Sequence, residues 1–255
     1  MRDAVFASDV HLSPDHPATT AAFLDFVDRE VAGRAKRFYL LGDLFEYWVG
    51  DEDGDEPLGA TIATRLHALV DDGTEVSFLV GNRDFLIGAA YAARAGMTLL
   101  PDPFAVTVGG LDLVLSHGDA LCTDDVQYQQ FRAMVRNPAW QQMVLAKPLA
   151  ERRAMARGAR SESEAAKGTK SMAIMDVNDD ATCALLAAHP GAVLVHGHTH
   201  RPAHHLHKVA GVERQRYVLT DWDADATPPR GGGLSIEDGS IRVLRLPVTP
   251  AKAGA

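Results

Sequence analysis

The 255-residue sequence predicts an α/β fold, for three reasons. Short apolar runs of strand length alternate with amphipathic helical segments over the first half of the chain, as is typical of α/β proteins. A long middle stretch is helical in pattern, and strand-like runs return after it. The composition, with 46% hydrophobic and 23% charged residues, is that of a globular chain that can bury a substantial core.

Five of the apolar runs are predicted to be buried strands, because each is short and ends in a turn residue. They span residues 4–7, 38–41, 76–80, 111–115 and 193–195. Helices are predicted at 19–31 and 60–70, where apolar side chains recur at helical spacing. Hairpin turns are predicted at Gly109-Gly110 and Asp238-Gly239. The other expected elements are strands at 217–219, 233–236 and 241–246 and a solvent-exposed loop at 204–207.

The middle stretch is predicted to be a helical insertion that caps the site. We assign residues 1–122 and 178–246 to the core, 123–177 to the cap, and 247–255 to a flexible tail rich in Ala, Pro and Gly. Residues 131–170 hold nine basic and three acidic side chains, a balance of +6 in a chain whose formal net charge is −9. The same residues include apolar Met, Leu, Val and Trp side chains.

Other features restrict the class of protein. The two cysteines, Cys122 and Cys183, do not form a CxxC pair, which argues against zinc-finger and dithiol sites. The chain begins at once with a predicted strand and has no apolar stretch near the roughly 20 residues that span a bilayer, so we expect a cytoplasmic protein without a secretory signal. The negative net charge argues against a protein that binds nucleic acid over its whole surface, but not against a local basic patch.

A block of polar residues follows each of the five buried runs. The blocks are Asp9-Val10-His11, Gly42-Asp43, Gly81-Asn82, Ser116-His117 and Gly197-His198-Thr199-His200. Side chains that leave the carboxyl ends of neighbouring strands converge on one rim of an α/β sheet. Carboxylate, amide and imidazole ligands without thiolate suit manganese, iron or zinc. Seven ligands suit two adjacent ions, which can activate a bridging hydroxide and stabilise a leaving oxygen, as in phosphoester hydrolysis.

Each block has a simpler explanation when it is considered alone. The Asp9–His11 pair could be a surface turn, and Asp43 could simply end a strand. Asn82 could supply left-handed turn geometry, and a single histidine such as His117 is more often structural than a metal ligand. His198 and His200 are the stronger pair, because alternate residues of an extended segment point the same way. In combination, the order of the blocks favours a catalytic site.

The order of these motifs resembles the calcineurin-like metallophosphoesterase superfamily over residues 4–120 and 190–246. The resemblance implies a double-sheet α/β sandwich flanked by helices, with two metal ions at one edge. It implies that one ion is held by Asp9, His11, Asp43 and His200. It implies that the other is held by Asp43, Asn82, His117 and His198. His196 is then interpreted as a strand-end residue and not as a ligand.

One position departs from the superfamily pattern. Most members have histidine after the asparagine of the third block, and that histidine is thought to assist the leaving group. This chain has Arg83, which cannot donate a proton at neutral pH but can bind phosphate oxygens with two N–H groups. A phosphate monoester that leaves from a pyrophosphate needs no proton. The alternative is that Arg83 is an exposed loop residue paired with Asp84.

A closer resemblance is to the family of UDP-2,3-diacylglucosamine pyrophosphatases, and it spans nearly the whole chain. The matching segments are Asp9-Val10-His11-Leu12, Gly42-Asp43-Leu44-Phe45-Glu46-Tyr47-Trp48, Gly81-Asn82-Arg83-Asp84-Phe85-Leu86, His117-Gly118-Asp119, Leu121-Cys122-Thr123-Asp124-Asp125, residues 170–178 and His196-Gly197-His198-Thr199-His200-Arg201-Pro202. The resemblance implies hydrolysis of UDP-2,3-diacylglucosamine in lipid A biosynthesis. A metal-activated hydroxide would attack the α-phosphorus and give UMP and 2,3-diacylglucosamine 1-phosphate (lipid X), with two Mn²⁺ per chain as the implied cofactors.

The same resemblance implies roles for individual residues. The implied catalytic residues are Asn82, Arg83, Asp43 and His198. The implied substrate-binding residues are Asn82, Arg83 and His198 at the pyrophosphate, Asp125 at the glucosamine or nucleotide, and Ser163, Lys167 and Lys170 at the head group. Lys167 stands where the family commonly has asparagine, so its contact with a phosphate would differ.

The cap suggests further partners. Its apolar side chains suit acyl chains, and basic side chains near an anionic leaflet contribute about 1 kcal/mol each. The +6 balance, with Trp140 and Met143 expected at the surface, suggests peripheral attachment to the cytoplasmic face of the inner membrane; a solvated basic helix pair is the simpler explanation. We expect a monomer that binds an acylated sugar nucleotide and no nucleic acid.

Two other functions are compatible with part of these observations. The chain could be a dimetal hydrolase of soluble nucleotides or simple phosphodiesters, but the apolar and basic insertion argues against a small substrate. It could also be a non-catalytic scaffold on the same fold, but the presence of all seven ligands argues against a scaffold.

Overall fold

The computed structural model describes residues 1–167 and 176–247, with side chains for 1–161 and 176–247. The strands of this part of the chain are β1 (Ala4–Ala7), β2 (Arg37–Leu40), β3 (Glu75–Leu79), β4 (Met97–Leu100), β5 (Phe104–Val108), β6 (Leu111–Ser116), β7 (Val193–His196), β8 (Ala203–Val209), β9 (Val212–Val218), β10 (Gly232–Glu237) and β11 (Ser240–Arg245). The helices are α1 (Pro17–Phe26), α2 (Pro57–Asp71), α3 (Ala89–Arg94), α4 (Val126–Val135), α5 (Pro138–Leu145), α6 (Leu149–Lys167) and α7 (Asp179–Ala188). A π-helical turn, Val27–Val31, extends α1, and 3₁₀ turns lie at Asp51–Asp55 and Asp119–Leu121.

The strands form two sheets. The first has six strands in the order β11-β10-β1-β2-β3-β4, with β1 to β4 parallel and β10 antiparallel to β1. The second has five strands in the order β5-β6-β7-β9-β8, and β6, β7 and β9 are parallel. The predicted hairpins are present as the antiparallel pairs β5–β6 and β10–β11.

The two sheets pack face to face, and helices cover their outer faces. In β1, all four residues are buried, and successive side chains point to opposite faces of the sheet. Ala4 and Phe6 belong to the core between the sheets, whereas Val5 and Ala7 belong to the core under the helices. The other face of the second sheet, including Val114, packs against α7. The double-sheet α/β sandwich expected from the resemblance is therefore confirmed.

Helices α4, α5 and α6 lie within the segment assigned to the cap. Two of them begin at capped ends, because Asp125 accepts the backbone N–H of Tyr128 and Asn137 accepts those of Ala139 and Trp140. Since α4 follows the 3₁₀ turn after β6, and α7 leads into β7, the cap is inserted between two neighbouring strands of the second sheet. Among the described residues, no helix combines the length and the hydropathy needed to cross a bilayer.

Candidate active site

The seven predicted ligands lie in the loops that follow β1, β2, β3, β6 and β7. Backbone geometry sets these loops apart. Among the described residues, seven non-glycine residues have positive φ, and five of those are predicted ligands: Asp9 (52°), His11 (53°), Asp43 (53°), His198 (68°) and His200 (55°). Positive φ is unfavourable for residues with a Cβ and concentrates at functional sites, where the surrounding structure holds it.

One group of ligands surrounds the end of β1. The ligand atoms of Asp9, His11 and His200 all lie within 4.8 Å of one another. The two imidazoles face each other, with Nε2 of His11 3.2 Å from Nε2 of His200. Nε2 of His200 lies 3.3 Å from Oδ1 of Asp9, and Nε2 of His11 lies 3.9 Å from Oδ2 of Asp43. These four residues can therefore hold one cation.

A second group is centred on Asn82. Its amide oxygen lies 2.9 Å from Nε2 of His117 and 2.8 Å from Nδ1 of His198. Oδ1 of Asp43 lies 3.7 Å from the same nitrogen of His117. Because Oδ2 of Asp43 faces His11 and Oδ1 faces His117, this carboxylate lies between the two groups. The structure thus brings together all seven predicted ligands, with the Asp43 carboxylate between the two groups.

The charge of the site suits divalent cations. Although burial alone would lower the pKa of His117, the carboxylates of Asp43, Asp119 and Asp9 raise it to about 9. Burial and the neighbouring His117 lower the pKa of His198 to about 4. The buried carboxylates thus favour positive charge at this place, which the proton on His117 supplies in the absence of a cation and a bound cation would supply instead. Mixed carboxylate, amide and imidazole donors without thiolate fit manganese, iron or zinc.

Asp84 holds two of the ligand loops together. It is fully buried, and its carboxylate accepts the backbone N–H groups of Gly81 at 2.8 Å and of Leu44 at 2.7 Å. Burial and the charge of Asp43 raise the pKa of Asp84 to about 6. The alternative pairing of Arg83 with Asp84 is therefore wrong, because Asp84 faces inward and Arg83 lies 3.6 Å from Glu46.

A cavity of about 590 Å³ extends from the second ligand group into the cap. Asn82, Arg83 and Glu46 line its end at the core. The remaining lining is largely apolar and comes from both parts of the chain: Tyr47, Trp48, Val49, Phe85 and Leu86 from the core, and Phe131, Met134, Trp140, Val144, Met155, Ala156 and Ala159 from the cap. Arg152 and Arg160 add positive charge. The cavity thus joins a polar end, which carries Asn82 and Arg83, to an apolar groove.

The remaining predicted substrate contacts are distributed differently. Asp125 lies at the start of α4, where its carboxylate accepts the N–H of Tyr128 at 3.1 Å. Ser163 and Lys167 belong to α6, but their side chains lie outside the described residues, as does the whole of Lys170. His196, which was not expected to be a ligand, is fully buried, with Nδ1 2.9 Å from the carbonyl oxygen of Gly197 and Nε2 3.2 Å from Arg216.

Sequence reasoning assigned no role to two residues that contact the site. Glu46 places Oε2 3.2 Å from Nδ1 of His11, opposite the nitrogen that faces His200. Tyr128, from α4, places its ring 5.6 Å from that of His198. Glu46 belongs to a segment that carries the family resemblance and could have been found there, whereas nothing in the local pattern marks Tyr128.

Curated relatives match nearly the whole chain. Proteins named UDP-2,3-diacylglucosamine hydrolase are 51% identical over 244 residues in Chromobacterium violaceum (94% of this chain, 98% of the relative) and 48% identical over 230 residues in Aromatoleum aromaticum (90% and 93%). The relative of the same name in Bordetella pertussis is 48% identical over 243 residues (94% and 93%). No protein-family model matches the chain.

Solved structures resemble the chain more distantly. A dimetal phosphatase from Danio rerio is 10% identical with a TM-score of 0.48, covering 96% of this chain and 98% of that one. Vps29 from Entamoeba histolytica, solved with zinc, is 13% identical with a TM-score of 0.43, covering 95% and 97%.

Proposed function

Because this chain belongs to the UDP-2,3-diacylglucosamine hydrolase family, we propose that it hydrolyses the pyrophosphate bond of UDP-2,3-diacylglucosamine in lipid A biosynthesis. Water adds to the α-phosphorus, and the bond from that phosphorus to the bridging oxygen breaks. The products are UMP and 2,3-diacylglucosamine 1-phosphate. The chain is a metal-dependent pyrophosphate hydrolase.

The cavity is the observation that supports this substrate most directly. One end presents Asn82 and Arg83 beside the second ligand group, and the other is lined by apolar cap side chains. A substrate with a pyrophosphate and two acyl chains has the same division of polar and apolar parts. A small soluble nucleotide would leave the apolar lining in contact with water, which is unfavourable by about 25 cal/mol per Å².

Arg83 is proposed to stabilise the negative charge that grows on the phosphoryl oxygens. Its side chain is 15% exposed and lies near Glu46, which keeps the guanidinium at the mouth of the ligand group. The backbone N–H of Arg83 donates to Oδ1 of Asp43 at 2.8 Å, so the loop that carries Arg83 is fixed to the bridging ligand. The sugar phosphate leaves as an anion, and an arginine that cannot give up a proton suffices for such a leaving group.

The proposed metal ligands are Asp9, His11, Asp43 and His200 for one Mn²⁺, and Asp43, Asn82, His117 and His198 for the other. The chemistry supplied by two bound divalent ions is activation of water and neutralisation of phosphoryl charge. Asn82 and His198 are proposed to contact the pyrophosphate, and Asp125 the glucosamine or nucleotide. Ser163, Lys167 and Lys170 remain proposed head-group contacts.

Turnover of synthetic UDP-2,3-diacylglucosamine with Mn²⁺, with and without a chelator, tests this proposal. We expect Asp43→Ala to abolish turnover, because both ligand groups use that carboxylate. Arg83→Ala should lose turnover while it keeps bound metal, and Arg29→Gln, which breaks only an exposed ion pair with Asp25, should match the wild type. Near-normal activity of Asp43→Ala would contradict the two-metal scheme. Faster turnover of bis(p-nitrophenyl) phosphate than of the acylated substrate would favour a simple phosphodiesterase.

We also propose that the protein acts as a monomer at the cytoplasmic face of the inner membrane. Exposed apolar side chains of the cap that lie outside the cavity lining support peripheral attachment: Val126, Met143 and Leu145. Trp140, in contrast, is half-buried and packs against Phe85.

A further inference from the structure

A buried carboxylate joins the cap to the site. Asp119, in the 3₁₀ turn after β6, has no exposed surface. Its Oδ2 accepts the hydroxyl of Tyr128 at 2.7 Å and Nε of Arg132 at 2.9 Å, and Arg136 lies 3.7 Å from the same oxygen. The three partners recur every four residues, so Tyr128 and Arg132 lie on one face of α4 and Arg136 continues that face at its C-terminal cap. We call Asp119, Tyr128, Arg132 and Arg136 the α4 clamp.

The α4 clamp lies against the three loops that carry Asn82, His117 and His198. Asp119 stands two residues after His117 in the loop that follows β6. The ring of Tyr128 lies 5.6 Å from that of His198, at an interplanar angle of 31°. Arg136 donates to the carbonyl oxygens of Val80 at 3.1 Å and Gly81 at 3.0 Å, immediately before Asn82. Among the side chains that the structure describes, no hydrogen bond or ion pair of the clamp reaches His11 or His200.

A second set of arginines ties the cap to the core elsewhere. Arg152, from α6, donates to the carbonyl oxygen of Val49 and to Glu52. Arg153 pairs with Asp53 and Glu56, each at 2.8 Å. Residues 49–56 contain none of the seven predicted ligands. This second attachment therefore offers a control within the same cap.

We infer that the α4 clamp is a positioning device that sets the geometry and affinity of the Asn82–His117–His198 metal position, and not of the Asp9–His11–His200 position. The inference rests on the proposed two-metal function. Asp119 orients Tyr128 and Arg132 through hydrogen bonds to its fully buried carboxylate, and charge-assisted hydrogen bonds are strong where water is largely excluded. Groups that orient metal ligands typically change metal affinity about 10–100-fold when they are removed.

Mn²⁺ titration of the whole chain, with binding followed by chelator competition and by electron paramagnetic resonance, tests the inference. Two ions that share a carboxylate give a coupled signal, and a single ion gives an isolated one. We expect wild type and Arg153→Gln to bind two ions with the same two affinities. Arg136→Gln and Tyr128→Phe should weaken one affinity about 10–100-fold, leave the other unchanged, and show the isolated signal at low Mn²⁺.

The double variants identify the affected position. Arg136→Gln combined with His200→Ala should bind no ion tightly, whereas Arg153→Gln combined with His200→Ala should retain one. Tyr128→Phe removes a single hydroxyl, so it can be used to test the inference if Arg136→Gln does not fold. If both clamp variants keep the two wild-type Mn²⁺ affinities, the inference is overturned and the proposed function stands. The same conclusion follows if Arg153→Gln weakens Mn²⁺ binding as much as the clamp variants do. A wild-type chain that binds no Mn²⁺ would overturn both.

Discussion

Gly81 and Gly197 illustrate how closely the ligand loops approach one another. A Cβ at Gly81 would overlap Oδ1 and the backbone nitrogen of Asp43, and a Cβ at Gly197 would overlap Oδ2 of Asp9. Each glycine directly precedes a predicted ligand, Asn82 or His198. The glycine of these motifs is therefore required because a neighbouring carboxylate occupies the space of its side chain.

Gly81→Ala should abolish turnover and weaken Mn²⁺ binding, because the added methyl group must displace the Asp43 carboxylate. Gly158→Ala is the matched control. Gly158 lies in α6 with no atom near the position of an added Cβ, and alanine should stabilise the helix by about 1 kcal/mol. Turnover and metal binding in both variants, with urea unfolding as a check of folding, provide the measurement. Normal Mn²⁺ affinity in Gly81→Ala would show that the Asp43 loop can move aside.

At the scale of residues, the sequence predicted which side chains meet at the strand ends but not the neighbouring groups that contact them. Asp9, Asp43 and His198 could be identified because each follows a strand-like run, and strand ends converge. Glu46 lies in a turn and Tyr128 in helix α4, and the position of both elements beside the site depends on the whole fold. No local pattern encodes such contacts.

At the scale of elements, the cap differs from the expected basic surface. Arg132 pairs with Asp119, Arg152 with Glu52, and Arg153 with Asp53, so much of the positive charge is directed to carboxylates of the core. The +6 balance was visible in the sequence, but the direction of these side chains was not. The apolar cap residues that remain exposed are better candidates for contact with lipid.

Edge strands account for the main error in the predicted elements. Residues 204–207 were expected to form a loop, but they lie in β8, at the edge of the second sheet. Only one residue of β8, Val209, is buried, so the strand lacks the apolar run that marked β1 or β7. β4 is likewise an edge strand and was not predicted. Buried strands were predictable because burial on both faces requires consecutive apolar residues.

Helix α5 provides a test of the apolar groove. Trp140 lines the cavity, and its ring lies 6.1 Å from that of Phe85. Trp140→Ala should lower kcat/KM for UDP-2,3-diacylglucosamine at least about tenfold, since loss of a large buried contact costs roughly 1.5–3 kcal/mol. Turnover of bis(p-nitrophenyl) phosphate should not change, because that substrate has no acyl chain. Leu206→Ala, on exposed β8, is the control, and equal losses on both substrates would contradict a role in acyl binding.

At the scale of the whole molecule, the ligands come from both sheets. Asp9, Asp43 and Asn82 follow strands of the first sheet, and His117 and His198 follow strands of the second. Ions held between them would connect the two layers of the sandwich at one edge. Metal binding and folding stability should therefore be linked.

Chelation should lower the melting temperature of the wild-type chain. Mn²⁺ at 100 times its Kd stabilises the folded state by about 2.7 kcal/mol per site if the unfolded chain does not bind it. For a chain of this size, each kcal/mol corresponds to a shift of about 2–4 °C. Thermal melts with Mn²⁺ and with chelator measure the difference, which should shrink in Asp43→Ala. An identical shift in that variant would place the stabilising ion elsewhere.

Attachment to a membrane should depend more on apolar cap side chains than on charge. Met143, in α5, is 55% exposed, whereas several cap arginines already pair with the core. Salt screens charges over about 8 Å at physiological ionic strength, but it does not weaken burial of an apolar side chain in lipid. The two contributions can therefore be separated by mutation and by salt.

Co-sedimentation with anionic vesicles should decrease when Met143 is replaced by Glu at low salt. This decrease should be larger than the decrease seen for the wild type when the salt is raised to the physiological level. The mutation removes an apolar contact and places a charge against the anionic surface, whereas salt affects only those basic side chains that are free to face the lipid. Leu206→Glu, an equally exposed leucine on β8, is the control and should bind as wild type does. If the wild type loses all vesicle binding at physiological salt while Met143→Glu binds normally at low salt, attachment depends on charge instead. If the wild type does not co-sediment even at low salt, peripheral attachment through the cap is excluded.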